Sequence, residues 1–190
     1  NRLCLYEDLP VKFDAWDIDR YYLEQTPTQP ALVRRRVVET GPLRGAIEKT
    51  LEGEDYRVVQ RIELEAHARL ITFDTRVDWR SSERMLRTEF PVALQAATAR
   101  HEVQYGHVER PTHGNTSWDW ARFEGVAHRW ADLSQPDYGV TLVNDGKYGH
   151  RIEGDLISLN LLRAPKFPDV EVDVGEHRFR YGLIPHPGDH

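Results

Sequence analysis

The chain has 190 residues, of which 25 are Lys or Arg and 31 are Asp or Glu, for a net charge of −6. That balance argues against a polyanion-binding module, so no nucleic-acid partner is expected. Hydrophobic residues make up 39% and charged residues 29%, a folded rather than disordered composition, and no apolar run is long enough for a membrane span. Cys4 is the only cysteine, so neither an intrachain disulfide nor a multi-cysteine metal site can form. The single methionine is Met85 and the chain starts at Asn1. This predicts a portion of a longer polypeptide, with an N-terminal boundary that can fall inside a domain.

Taken in chain order, the dominant period is two. Residues 57–66 interleave Val58, Gln60, Ile62 and Leu64 with Arg61, Glu63 and Glu65. In residues 70–79, Ile71, Phe73, Thr75, Val77 and Trp79 share one face, and Thr72, Asp74, Arg76 and Asp78 share the other. Both read as half-buried strands. Further strand candidates are 85–90, 100–105, 123–130, 139–143, 156–162 and 178–184. Helical periodicity is weak everywhere; its best candidates are 91–98 and a stretch near Ala31. Thr40-Gly41-Pro42 and Gly53-Glu54-Asp55 suit hairpin turns, and Asn144-Asp145-Gly146 is a tight-hairpin signal. The whole chain, 1–190, therefore reads as one all-β domain, an antiparallel β-sandwich or barrel.

Nine histidines make zinc the first chemistry to test. His101 and His107 share a face on a straight strand, but at about 20 Å they are too far apart for one ion. No H-E-x-x-H spacing occurs, and no metal ligand is expected in this chain. Cys4 between Leu3 and Leu5 reads as a buried, unreactive thiol. No serine stands in a G-x-S-x-G elbow. Asp119, Glu124 and Asp145 could supply paired carboxyls for glycoside chemistry, yet solvated strand edges and caps explain them better. Trp118, Trp120, Phe123 and Trp130 crowd a polar loop of residues 110–119. They suit either a sugar platform or a sandwich core, and both readings stay open.

The run Arg110-Pro111-Thr112-His113-Gly114-Asn115-Thr116-Ser117-Trp118-Asp119-Trp120-Ala121-Arg122-Phe123-Glu124 resembles a signature of the α-mannosidases of glycoside hydrolase family 38, cytosolic and bacterial branch. Asp14-Ala15-Trp16-Asp17-Ile18, Val77-Asp78-Trp79, Thr88-Glu89-Phe90-Pro91, Ala127-His128-Arg129-Trp130, Leu142-Val143-Asn144-Asp145-Gly146-Lys147-Tyr148-Gly149, Leu161-Leu162-Arg163-Ala164-Pro165 and Pro185-His186-Pro187-Gly188 agree in the same order.

The resemblance implies the C-terminal β region of a longer, zinc-dependent retaining α-mannosidase, a large supersandwich of the galactose mutarotase-like kind. The nucleophile, acid/base carboxyl and zinc ligands would lie in a preceding catalytic domain, leaving the isolated chain inactive. Its partners would be that domain of the same polypeptide and an α-mannoside oligosaccharide, in the cytoplasm. Asn115, Trp118, Asp119, Asp145 and Lys147 become the residues expected at the substrate rim, with Lys147 as the cation. The alternatives are a free-standing carbohydrate-binding module and a purely structural domain. A mutarotase-like enzyme built on His101, His107 and Glu124 would rest on fold analogy alone.

Overall fold

Residues 1–188 are described by a computed structural model. The strands are β1 (Arg2–Glu7), β2 (Ala31–Thr40), β3 (Arg44–Glu52), β4 (Tyr56–Glu65), β5 (Ile71–Trp79), β6 (Arg84–Pro91) and β7 (Thr98–Val103). They continue as β8 (Gly106–Pro111), β9 (Gly125–Val126), β10 (Trp130–Gln135), β11 (Tyr138–Asn144), β12 (Gly149–Glu153), β13 (Leu156–Leu162) and β14 (Gly175–Pro187). A 3-10 helix covers Arg20–Glu24, and one short helix, α1, covers Ser117–Ala121.

Two antiparallel sheets face each other. The smaller has the order β1-β6-β13-β12-β9, and the larger runs β2-β3-β4-β5-β14-β11-β10-β7-β8. The antiparallel sandwich expected from the period-two pattern is the architecture found. Alternation decides which side chains meet between the sheets: Phe73, Val77 and Trp79 of β5, Leu86 and Phe90 of β6, and Ile157 and Leu159 of β13 join one buried cluster. Each such side chain contributes about 1.5–3 kcal/mol through burial.

The opposite face of the smaller sheet is covered as well. Cys4, Tyr6 and Met85 pack there with Tyr22 of the 3-10 helix, against Ile18, Leu23 and Phe123. The chain between β1 and β2 thus lies over the sheet as a lid on its second face. Asp19 caps the 3-10 helix, its side chain accepting from the Tyr21 N–H.

Several expectations are corrected. Residues 91–98 form no helix: β6 ends at Pro91, Val92 N–H donates to the Asp155 carbonyl, and Leu94 is buried in an irregular turn. The stretch at Ala31 is strand β2, because pairing to β3 outweighs weak helical periodicity. The candidate at 100–105 bends at Tyr105, whose φ is +66°, into the β7–β8 hairpin. His101 therefore pairs with Val108, and the straight strand assumed for His101 and His107 does not exist. Residues 123–130 hold only β9 and the first residue of β10.

The turns at 40–43 and 53–55 do close the β2–β3 and β3–β4 hairpins. Asn144-Asp145-Gly146 does not close one. It carries the chain from β11 in the larger sheet to β12 in the smaller, and the positive φ angles of a tight hairpin are absent there.

Candidate functional site

The Trp-rich loop follows β8 and is held by a reciprocal cap. The Thr116 hydroxyl accepts from the Asp119 N–H at 3.1 Å, and an Asp119 carboxylate oxygen accepts from the Thr116 N–H at 3.2 Å. The same carboxylate accepts from the Thr116 hydroxyl at 2.7 Å and stands 3.8 Å from His113 Nδ1. Asp119 is thus committed to starting α1. Trp118, 72% exposed, stands on this turn with the Arg122 guanidinium 5.8 Å from its ring centroid. Arg20 lies 4.7 Å over Trp120 and donates to the Trp120 carbonyl at 2.9 Å. Asn115 is exposed, its N–H directed at His113 Nδ1. A shallow depression here is lined by Arg20, His113, Asp119, Arg122 and Phe123, among others, but not by Asn115 or Trp118.

The second group sits on the β11–β12 junction. The buried Asn144 side-chain oxygen accepts from the N–H groups of Gly146, at 3.0 Å, and Lys147, at 2.5 Å. That fixes the loop. Lys147 Nζ is 5.0 Å from the centroid of Phe179. Burial pushes the Lys147 ammonium below the usual lysine range, partly countered by Asp173 and Asp145. Asp145 is exposed, and its carboxylate accepts from the Arg180 N–H at 3.2 Å. It lines an open depression with Leu70, Thr72, Val143, Arg180 and Gly182, while Lys147 does not.

Thus Asp145 and Lys147 come together, as do Asn115, Trp118 and Asp119. The hydrogen-bond partners of the two loops have no residue in common. The carboxyl set considered from the sequence also separates. Asp119 caps α1, Asp145 holds β14 backbone, and Glu124 binds the buried Arg87 and the Tyr22 hydroxyl. Among the described residues, no three His, Cys, Asp or Glu side chains converge to hold a metal ion, so the donor set does not fit zinc.

His150 is a chemistry-bearing residue that no sequence motif singled out, and its partner is His101. His101 and His150 stack edge to face between the sheets, ring centroids 6.2 Å apart, with Arg110 near His101. Burial drives both imidazoles down, His101 to about 3 and His150 to about 4. The neighbouring histidine and Arg110 add to the effect on His101, whereas the Tyr148 carbonyl partly opposes it on His150. Only pairing of the sheets brings them together, since they stand 49 positions apart by subtraction of their numbers.

The family model of the glycosyl hydrolases family 38 C-terminal domain matches residues 1–171. The chain belongs to this family. Alpha-mannosidase 2C1 of Mus musculus is 43% identical over 190 residues, covering 99% of this chain and 18% of its own length. Alpha-mannosidase G of Dictyostelium discoideum is 42% identical over 193 residues, again 99% of this chain and 18% of its own. The family 38 chain therefore spans about a fifth of these curated relatives. A solved family 38 protein from Enterococcus faecalis superposes with a TM-score of 0.81 at 14% identity, covering 98% of this chain and 26% of that one. At that identity the likeness shows the fold.

Proposed function

We propose that this family 38 chain is the C-terminal β portion of a zinc-dependent, retaining α-mannosidase acting on α-mannosidic linkages in oligosaccharides in the cytoplasm. The observation that carries the reading is the near-complete match, at 43% identity, to an α-mannosidase. In this reading residues 1–190 form one domain whose partner is a preceding catalytic domain. That domain supplies the nucleophile, the acid/base carboxyl and the zinc ligands. No residue of this chain is given a role toward zinc, and the chain alone is inactive.

The work assigned to this chain is to build and hold a rim. The Asn144 cap fixes the backbone of Lys147, so its ammonium is presented without the entropy cost of ordering a free loop. Partial desolvation strengthens its attraction for a sugar hydroxyl or a developing negative charge. Asp145 would accept from hydroxyls. On the other loop Trp118 offers an exposed ring face and Asn115 an exposed amide, with Asp119 holding the turn. The exposure of Trp118 also favours a second reading, a carbohydrate-binding surface that works without the catalytic domain.

The test is hydrolysis of a chromogenic α-mannoside by the full-length polypeptide, before and after chelation and with zinc restored. Following the anomer first released by NMR would read the stereochemistry. In that protein Lys147→Ala is expected to raise KM about tenfold with a smaller change in kcat. Unchanged kinetics would remove Lys147 from the rim, and absence of hydrolysis would remove the mannosidase reading. Mannose binding by residues 1–190 alone would favour the second reading.

A further inference from the structure

The two sheets differ in width, and the excess lies at one end. Pairing carries the core-facing side of β5 onto β4, β3 and β2 in rows. One row is Val77, Val58, Leu51 and Leu32; another is Phe73, Ile62, Ile47 and Val37. Each row begins fully buried and ends in the open: Leu32 is 54% and Val37 63% exposed, and Leu64 on the same face is 48% exposed. The other face of these strands is charged. Arg36 pairs with Glu48, and Arg61 with Glu39 and Glu63. The two apolar rows, with Lys49 and Arg35 between them, thus end on an exposed surface of the kind that marks a contact.

The smaller sheet stops short of this region. Its edge strand β1 begins above β4, where the Asn1 side-chain amide donates to Gln60 Oε1 at 3.2 Å. Lys49 is the next residue outward in that row. Along its outward edge the β1 backbone bonds through Leu5 to Thr28 and through Glu7 to the Gln25 side chain, so among the described residues Arg2 to Cys4 have no strand partner there. A free strand edge and an uncovered apolar face therefore adjoin at the point where residue 1 enters the sandwich.

We propose that polypeptide preceding Asn1 in the longer protein covers the Leu32–Val37–Leu64 face and pairs with the free edge of β1. This rests on the reading that the chain is the C-terminal portion of a larger enzyme. Two facts select this occupant over a second copy. The curated relatives carry roughly four-fifths of their length outside the matched region, and the Asn1 side chain reaches Gln60, in the row that continues outward to Lys49 beside that face. The covering segment completes the core row by row, putting apolar side chains over Leu32 and Val37 and a carboxylate or polar group near Lys49 and Arg35.

The test uses the full-length polypeptide. Hydroxyl-radical footprinting of the unaltered protein reads Leu32 and Val37 directly. A covered face predicts labelling at least about fivefold slower than in the urea-unfolded chain, whereas a half-exposed face slows it only about twofold. A benzophenone amino acid in place of Leu32, photolysed and mapped by mass spectrometry, then identifies the occupant. Cross-links to peptides preceding Asn1 support the proposal. Cross-links to a second copy, or labelling at the half-exposed rate, overturn it. α-Mannoside hydrolysis by the same preparation separates the two readings: an active enzyme with an uncovered face defeats only the docking proposal. An inactive one with cross-links to preceding chain defeats only the activity.

Discussion

Arg87 of β6 is fully buried, and its Nη1 donates to Glu124 Oε1 at 2.7 Å across the lidded face of the smaller sheet. Its Nε donates to the Ser158 hydroxyl at 2.8 Å and its Nη1 reaches the Tyr22 hydroxyl at 3.1 Å. Burial alone would push the guanidinium down; the fields of Glu124 and Tyr22 outweigh it and hold Arg87 charged. Loss of either charge leaves the other desolvated. Glu124→Ala should cost about 3–5 kcal/mol in urea unfolding, and replacing Arg87 by Met in the same chain should recover part of that loss. Additive losses would show that the pair is not coupled.

The His101–His150 pair sets an acid limit. Both folded imidazoles titrate far below the ordinary value of 6.5, at about 3 and about 4. The unfolded chain therefore binds protons first as pH falls. Their contribution is complete above about pH 6.5 and is lost progressively below it, down to about pH 4 for His150 and about pH 3 for His101, at up to about 1.4 kcal/mol per pH unit for each histidine. His150→Phe should flatten the decline in Tm between pH 6.5 and 4. An equally steep decline in the variant would exclude the pair as its cause.

Gly182 in β14 admits no side chain. A Cβ there would lie 2.7 Å from the Ile71 carbonyl oxygen, on the neighbouring strand, and 2.6 Å from a Leu70 methyl. Backbone in a paired strand cannot swing aside cheaply, so Gly182→Ala should cost about 1–3 kcal/mol. Gly45, where a Cβ meets nothing within 4 Å, is the control. Comparable Tm values for the two alanine variants would refute the argument.

Cys4 should be inert when folded. Burial and the Glu89 carboxylate, which accepts from the thiol at 3.3 Å, push its pKa up to about 12. Thiolate is then scarce at pH 8. Alkylation at that pH should be slow in the native chain and fast in denaturant. Rapid native labelling would contradict this placement.

The strand with strict alternation, 71–79, was readable because it pairs one buried face with a short local repeat. The strands β1, β2, β3, β8 and β12, and all of β10 past Trp130, escaped notice for varied reasons. Both faces of β1 are covered, and β2 is exposed over most of its length, so neither alternates in burial. The 110–124 motif pointed correctly to the family, yet its boundaries misled. Its first two residues end β8 and its middle forms α1.

What the residues alone determined was the period-two code, the hairpin turns at 40–43 and 53–55, the bland thiol and the family. These depend on interactions within a few positions or on residue identities in order. The tertiary structure decided that 144–147 crosses between sheets, that His101 meets His150, that Glu124 serves Arg87, and that β2 and β3 overhang the smaller sheet. Each joins residues distant in sequence, where strand order and sheet width decide the contact and no local pattern records it.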